Sequence, residues 1–321
     1  MKKYRLLLIT IVMFNLANAQ NTPDIIGQYN LGSSSPEGGS HLFVLENNHY
    51  AILYFGGIQT GQWEFTSDQT FKFSPDIKEN KFELFGRHNK DLKNSTKIFF
   101  NDFEKGETFV QLKTTQEKEN IFQRVFNKNA NCFSFPYVHT FELIGDRISF
   151  MSIQYDDKNT YNITFENPDK YNDFVANFTE VDSHEVQPFF ATFNNGELKL
   201  INDSIVKRMP LNETDEGLEF IRKYIDMKSN KDTIYINPAY NFFGDLDFEE
   251  QQDIHEHHVF NEQKNAFIDE EYYVEGSEYT KSDESFHDMS IIYAYSALKI
   301  HNKKNVSYKI NEKPLFQVTC N

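Results

Sequence analysis

Apolar and polar residues alternate with a period of two over most of residues 20–165. Segments 41–45 and 50–55 show the alternation clearly, and Asn47-Asn48 between them can adopt the positive φ of a tight hairpin. Further alternating segments follow about every 8–14 residues, with polar or glycine-containing turns between them. The pattern predicts a mainly β fold in which residues 20–165 form an antiparallel β-barrel or sandwich.

At two later places the apolar residues recur with the spacing of a helix. Asn167-Pro168 has the form of an N-cap followed by proline, and the apolar residues after it predict a helix over 168–178. A second helix is predicted from Thr214 onward for the same reason.

The chain is therefore expected to divide at the first of these helices. We expect the β-domain over 20–165 to be followed by a helix and linker over 166–187 and by an acidic α+β region over 188–321. The acidic character is concentrated in residues 213–288, which hold 21 acidic and 6 basic side chains.

Residues 1–19 have the layout of a secretory signal peptide. A basic start precedes an apolar run of 11 residues, and Ala17-Asn18-Ala19 supplies small residues for cleavage before Gln20. The apolar run is too short to cross a bilayer as a helix. A lipid-anchored bacterial protein would carry cysteine at the position of Gln20. We therefore expect a secreted or periplasmic protein with no lipid anchor and no stable membrane insertion.

Charge excludes two classes of partner. Loss of the three basic residues in the leader changes the net charge from −16 to −19. Nucleic acids and anionic membranes both require basic surfaces, so neither is expected as a partner.

Cysteine usage is sparse, with only Cys132 and Cys320. In an oxidising compartment the two could pair. Two buried free thiols are the alternative, because the sequence does not define the distance between them.

Residues 24–165 resemble the lipocalin-like domains of bacteria. The resemblance lies in Gly27-Gln28-Tyr29 on the first predicted strand and Gly61-Gln62-Trp63 on a later one. The chain differs from the family in having Tyr29 where Trp is usual and in continuing beyond eight strands. The resemblance implies a barrel whose open end admits an apolar ligand, with Tyr29 or Trp63 closing the other end. A generic β-sandwich or barrel is the alternative.

Glycine-rich loops supply the other candidate binding residues. Segments 36–41 and 54–61 lack the Gly-Lys-Ser/Thr of a phosphate-binding loop, so they are either simple turns or a binding rim. Tyr54 begins the second segment, and Arg87 and His88 lie on another predicted turn that could join the rim.

One cluster has the composition of a metal site. It comprises Asp253, His255, His257 and His258, with Glu256 between them. Neutral imidazole and carboxylate groups suit Zn²⁺, although the spacing is not His-Glu-x-x-His. A solvated acidic helix is the alternative interpretation.

No complete signature of nucleophilic catalysis occurs. Gly-x-Ser-x-Gly is absent from the sequence, and the two Ser-x-x-Lys matches, Ser204–Lys207 and Ser296–Lys299, lack the Ser-Asp-Asn and Lys-Thr-Gly motifs that accompany them in enzymes. We therefore expect a non-enzymatic binding module without a resident cofactor, which contacts an apolar small molecule or a protein partner. The alternative function is a metal-dependent hydrolase that uses His255, His257 and His258.

Overall fold

A computed structural model describes most of the chain after residue 23. The described residues are 24–35, 38–67, 69–76, 80–114, 119–153, 160–180, 187–201, 203–229, 232–243, 254–276, 283–302 and 307–320. The predicted mainly β class is confirmed, because strands account for most of the regular structure.

The strands are numbered in chain order. They are β1 (Gly27–Ser35), β2 (Gly38–Val44), β3 (His49–Tyr54), β4 (Gly57–Ser67), β5 (Thr70–Pro75), β6 (Phe82–Arg87), β7 (Thr96–Asn101), β8 (Glu107–Lys113), β9 (Ile121–Arg124), β10 (Val138–Phe141), β11 (Arg147–Ile153), β12 (Thr160–Glu166), β13 (Asp173–Phe178), β14 (Phe189–Asn194), β15 (Glu197–Leu200), β16 (Ile205–Met209), β17 (Thr233–Ile236), β18 (His258–Asn261), β19 (Ala266–Asp269), β20 (Ile291–Ala297), β21 (Ile300–Asn302) and β22 (Lys309–Asn311). The helices are α1 (Glu216–Ser229), α2 (Ile254–His257) and α3 (Asp283–His287).

The chain forms two compact units that alternate along the sequence. The first contains residues up to 77 and 182–226, and the second contains 78–181 and 227–321. The predicted parts 20–165 and 188–321 are thus interleaved, since each contributes strands to both units.

The first unit is a closed barrel of eight antiparallel strands. Strands β1 to β5 follow one another around it, and β14 to β16 complete it by pairing β16 with β1. Neighbouring strands that follow one another in sequence need only short turns, and these use residues that tolerate positive φ. Asn47 and Asn48 have φ of 59° and 63°, as the predicted hairpin requires, and Asn195 has φ of 49°.

Alternation along each barrel strand separates an interior from an exterior apolar face. On β2, Leu42 and Val44 pack in the interior, whereas Phe43 packs outside against α1. The helix predicted from Thr214 is confirmed, although it begins at Glu216. Asp215 Oδ1 accepts a hydrogen bond from Gly217 N at 2.9 Å, which caps the first turn.

Aromatic side chains occupy the barrel interior. Tyr50, Phe71 and Phe73 are fully buried, and Phe73 stacks on Phe189 with ring centroids 4.6 Å apart. Gly61 lies beside Tyr50, so that a Cβ there would lie 2.6 Å from Tyr50 Cε1 and even closer to the Ser74 carbonyl oxygen. An eight-stranded barrel is just wide enough for such side chains to fill it.

We expect Gly61→Ala to lower the free energy of unfolding by about 1–3 kcal/mol, because the new methyl group overlaps backbone that cannot move without a shift of the strand. Urea denaturation measures the effect. Gly145→Ala is the control, since the nearest atom to its Cβ is 3.4 Å away. Equal stability of the two variants would contradict the packing described for the barrel.

The second unit contains two sheets that share an aromatic core. One has the order β10-β7-β13-β6-β20-β19-β18, with β17 also paired to β20, and the other has the order β21-β12-β11-β8-β9-β22. Side chains from β6, β7 and β13 pack against those of β8, β11 and β12; Phe82 and Phe150, from opposite sheets, have ring centroids 5.4 Å apart. This unit is therefore a β-sandwich.

The prediction of a helix over 168–178, which lies in this unit, is wrong. Residues Asp173–Phe178 form β13, which lies between β6 and β7. Phe174 faces the sandwich core and Val175 faces the opposite side of the sheet, so both faces of the strand are buried. A strand buried on both faces is apolar along its length, and such a run also satisfies helical spacing.

A disulfide joins the two cysteines of the second unit. Cys132 and Cys320 have Sγ atoms 2.08 Å apart, which resolves the two alternatives in favour of pairing. The same C-terminal segment runs parallel to β9 through β22, and Val318 N donates to Asn127 Oδ1 at 2.7 Å.

Candidate anion site in the second unit

A buried carboxylate between two cations defines the candidate site. Asp173 begins β13, and its direct neighbours across the sheet are Arg87 on β6 and Lys97 on β7. Because side chains alternate along strands, all three lie on the face that carries Phe85, Phe99 and Val175, opposite the sandwich core.

Two side chains hydrogen-bond one oxygen of the Asp173 carboxylate, and a third forms an ion pair with the other oxygen. Arg87 Nε and Nη2 lie 3.0 and 2.9 Å from Oδ2, and Asn89 Nδ2 donates to the same oxygen at 3.0 Å. Lys97 Nζ lies 3.1 Å from Oδ1. The Asp173 side chain is wholly buried, whereas that of Lys97 is 20% exposed. The group has two positive charges and one negative charge, so one positive charge is left without a counter-charge among these residues.

Tyrosine rings flank both cations. The Arg87 guanidinium carbon lies 3.7 Å from the centroid of the Tyr293 ring, and Lys97 Nζ lies 5.6 Å from that of Tyr240. Burial raises the pKa of the Tyr240 hydroxyl above its usual value and that of Tyr295 well above it. Both hydroxyls are therefore neutral near pH 7 and add no negative charge to the site.

The two cations line a cavity of about 430 Å³, a volume typical of small-molecule sites. Arg87 and Lys97 contribute from the sheet, and Pro238, Tyr240, Ile291 and Tyr293 form the less polar part of the lining. His88 and Lys90 also line the cavity, from the segment that follows β6.

Two asparagines hold the loops that frame the cavity. Asn89 Oδ1 accepts from Asp91 N at 3.0 Å and caps a 3₁₀ turn over Lys90–Leu92. Asn237 Oδ1 accepts from Asn241 N at 2.8 Å, while its Nδ2 donates to the carbonyl oxygens of Phe286 at 2.8 Å and Asp288 at 2.9 Å.

Asn237→Ala should lower the free energy of unfolding by about 1–3 kcal/mol, because buried backbone groups lose their partners. Chemical denaturation followed by far-UV circular dichroism measures the loss. In the exposed turn at Asn261, the side chain accepts from Lys264 N alone, so Asn261→Ala should cost less than about 1 kcal/mol. A loss as small for Asn237→Ala would show that this asparagine does not hold the loops.

The predicted ligand-binding residues are divided between the two units. Arg87 and His88 line the cavity, whereas Tyr29, Tyr54 and Trp63 belong to the first unit. Tyr29 is buried and donates to Ile25 O at 2.7 Å, and Trp63 Nε1 donates to Leu45 O at 3.0 Å. Tyr54 is half exposed. The predicted rim therefore does not form one site with Arg87 and His88 within either unit.

Among the described residues, the predicted metal ligands do not converge on one point. His258 is buried and its Nε2 bonds to Met289 O at 2.8 Å, whereas His255 and His257 are exposed. Asp253 lies outside the described residues. Within the described part of the chain, no three His, Cys, Asp or Glu side chains are arranged to hold a metal ion. The hydrolase alternative stays a prediction.

The sequence did not predict Lys97, Asp173, Tyr240 or the two tyrosines of β20 as residues of the site. Lys97 and Asp173 stand at the start of strands that are 76 residues apart and pair in parallel. In the sequence, Lys97 and Asp173 each stand next to an apolar run, which is a recognisable signal. The sequence contains no information, however, on which two strands become neighbours in the sheet.

Comparison with protein-family models, curated proteins and solved structures found no match. The fold itself defines the class, namely a mainly β protein with an eight-stranded barrel and a β-sandwich. None of the helices in the described ranges is long and apolar enough to cross a membrane.

Proposed function

We propose that this protein is an exported, non-enzymatic binding module whose second unit binds a small organic anion. The observation that carries the proposal is an excess of positive charge around a cavity of about 430 Å³. Four cations line it, Arg87, Lys90, Lys97 and Lys264, whereas the carboxylates are Asp91 in the lining and Asp173, which pairs with Arg87 and Lys97. A charge in such a partly desolvated site attracts an opposite charge more strongly than it would in water.

The charge of the cavity favours an anion over the apolar ligand that the lipocalin-like resemblance implies. An apolar ligand would cover Lys97 without replacing its lost hydration, which costs free energy. The barrel interior supports the same choice, because Tyr50, Phe71 and Phe73 fill part of it.

The overall charge favours a small ligand over a polymer. The chain has a net charge of −16, so a long polyanion would be repelled by most of the surface. A small anion need enter only the local positive field around Lys97.

Export is supported by two independent features. The leader-like pattern of residues 1–19 is one, and the Cys132–Cys320 disulfide is the other, since such bonds persist mainly in oxidising compartments. In the native bacterium, the protein outside the cytoplasm should begin at Gln20. Recovery of the full-length chain from the cytoplasm alone would contradict export.

Benzoate and its neutral analogue benzamide test the binding proposal. We expect benzoate, but not benzamide, to bind saturably in ligand-observed NMR titrations. Lys97→Met should weaken benzoate binding at least about tenfold, equivalent to 1.4 kcal/mol. Lys105→Met is the matched control, because Lys105 pairs with Asp102 at the surface. Equal binding of benzoate and benzamide would contradict the proposal.

A further inference from the structure

We infer that the ligand of this cavity is a polyhydroxylated organic anion of the sugar-acid class, and that Gln263 is one of the residues that recognise its hydroxyl groups. This ligand class rests on the proposed function, because its anionic group is the part that the cations of the cavity attract. The hydroxylated body is the new element.

The positive charge of the cavity does not by itself specify the body of the ligand. Arg87 and Lys97 lie on the sheet. Lys90 follows β6, and Lys264 lies in the turn between β18 and β19. The two loop lysines are the more accessible cations, since Lys90 is exposed and Lys264, which pairs with Glu275 at 3.5 Å, is 28% exposed. Cations spread in this way attract anions of one or two charges alike, so the other lining residues select among them.

Polar side chains make up most of the remaining lining. Among the described lining residues, only Pro238 and Ile291 have side chains without a polar atom. An apolar ligand body would remove amides, ammonium groups and hydroxyls from water without offering hydrogen bonds in return, which costs free energy. A hydroxylated body replaces those hydrogen bonds, because each hydroxyl both donates and accepts.

The amides of the lining divide into two kinds. Asn89 and Asn237 hold the framing loops through hydrogen bonds within the protein. Asn265 Nδ2 donates to His88 O at 3.0 Å, which ties the turn between β18 and β19 to the segment after β6. Gln263 lies on that tied turn, is exposed and lines the cavity. Its amide can both donate to and accept from a hydroxyl, and its position is largely set before the ligand arrives.

Tyrosine side chains suit the same kind of body. Tyr240 and Tyr293 line the cavity, and each combines an apolar ring with a polar hydroxyl. A sugar-like body has the same dual character, since its C–H groups alternate with hydroxyls. Its C–H groups can pack on ring surface while its hydroxyls reach the amides and ammonium groups.

Three probes of equal chain length test the inference on the unmodified protein by ligand-observed NMR titration. Gluconate has a carboxylate and several hydroxyls, hexanoate has the carboxylate alone, and sorbitol has hydroxyls without a charge. We expect gluconate to bind at least about tenfold more tightly than hexanoate, and sorbitol not to bind saturably.

A variant of Gln263 tests the assigned residue. Gln263→Leu should weaken gluconate binding about threefold or more and leave hexanoate binding unchanged, because only gluconate offers hydroxyls to the amide. Gln317→Leu is the matched control, since Gln317 is exposed in the C-terminal segment and is not among the lining residues.

The outcomes separate this ligand class from the proposed function. If hexanoate binds as tightly as gluconate, the ligand class is wrong, although anion binding stands. If neither anion binds saturably, or if sorbitol binds as tightly as gluconate, the proposed function itself fails. Equal losses of gluconate and hexanoate affinity in Gln263→Leu, or no loss of either, would show that Gln263 does not recognise the hydroxyls.

Discussion

Asp173→Asn lowers the free energy of unfolding by about 3–5 kcal/mol on this account, the largest effect expected of any single substitution considered. The amide keeps the shape of the side chain but removes its charge. Arg87 and Lys97 would then face each other's charge across a buried position without the carboxylate between them. Urea denaturation followed by circular dichroism measures the loss.

Two further variants show whether charge causes this loss. Asp102→Asn, in the exposed pair with Lys105, should cost less than about 1 kcal/mol. The double variant Asp173→Asn/Lys97→Met restores the excess of a single positive charge, so it should be less destabilised than the sum of its single variants. Strict additivity would mean that Asp173 acts through packing alone.

Removal of the disulfide should have the second largest effect. Cys132 and Cys320 are 188 residues apart, so their link restricts a long loop in the unfolded chain. We expect the double variant Cys132→Ser/Cys320→Ser to lose about 2–5 kcal/mol. The C-terminal segment should be the first to lose protection, because its pairing with β9 and Asn127 is short.

Reductant provides the control for this prediction. Dithiothreitol should destabilise the wild-type protein to the level of the double variant and leave the double variant unchanged. Unfolding midpoints that do not respond to reductant in either protein would show that the two cysteines are not linked in solution.

Local patterns in the sequence predicted the local parts of the fold. Asn47-Asn48 predicted a hairpin, and the apolar spacing after Thr214 predicted α1, because both depend on residues close in the chain. The interleaving of the units was not predictable, since strands of a barrel and of a sandwich alternate with the same period. Strand β13 was mistaken for a helix because both of its faces are buried.

The candidate site, like the fold, was predictable only in its local part. Arg87 and His88 were recognisable beside Gly86 and both line the cavity, although Arg87 is the last residue of β6 and does not lie on the predicted turn. Asp173 and Lys97 meet only because β13 lies parallel to β7, a contact between distant segments. The charge excess that carries the functional proposal therefore exists only in the folded chain.

Titration of uniformly ¹³C- and ¹⁵N-labelled wild-type protein with benzoate and benzamide tests the central claim most directly. We expect benzoate to shift the signals of Lys97, Tyr240 and Tyr293 saturably and benzamide to leave them unchanged. A shift confined to barrel residues, or no saturable shift at all, would contradict the assignment of an anion site to the second unit.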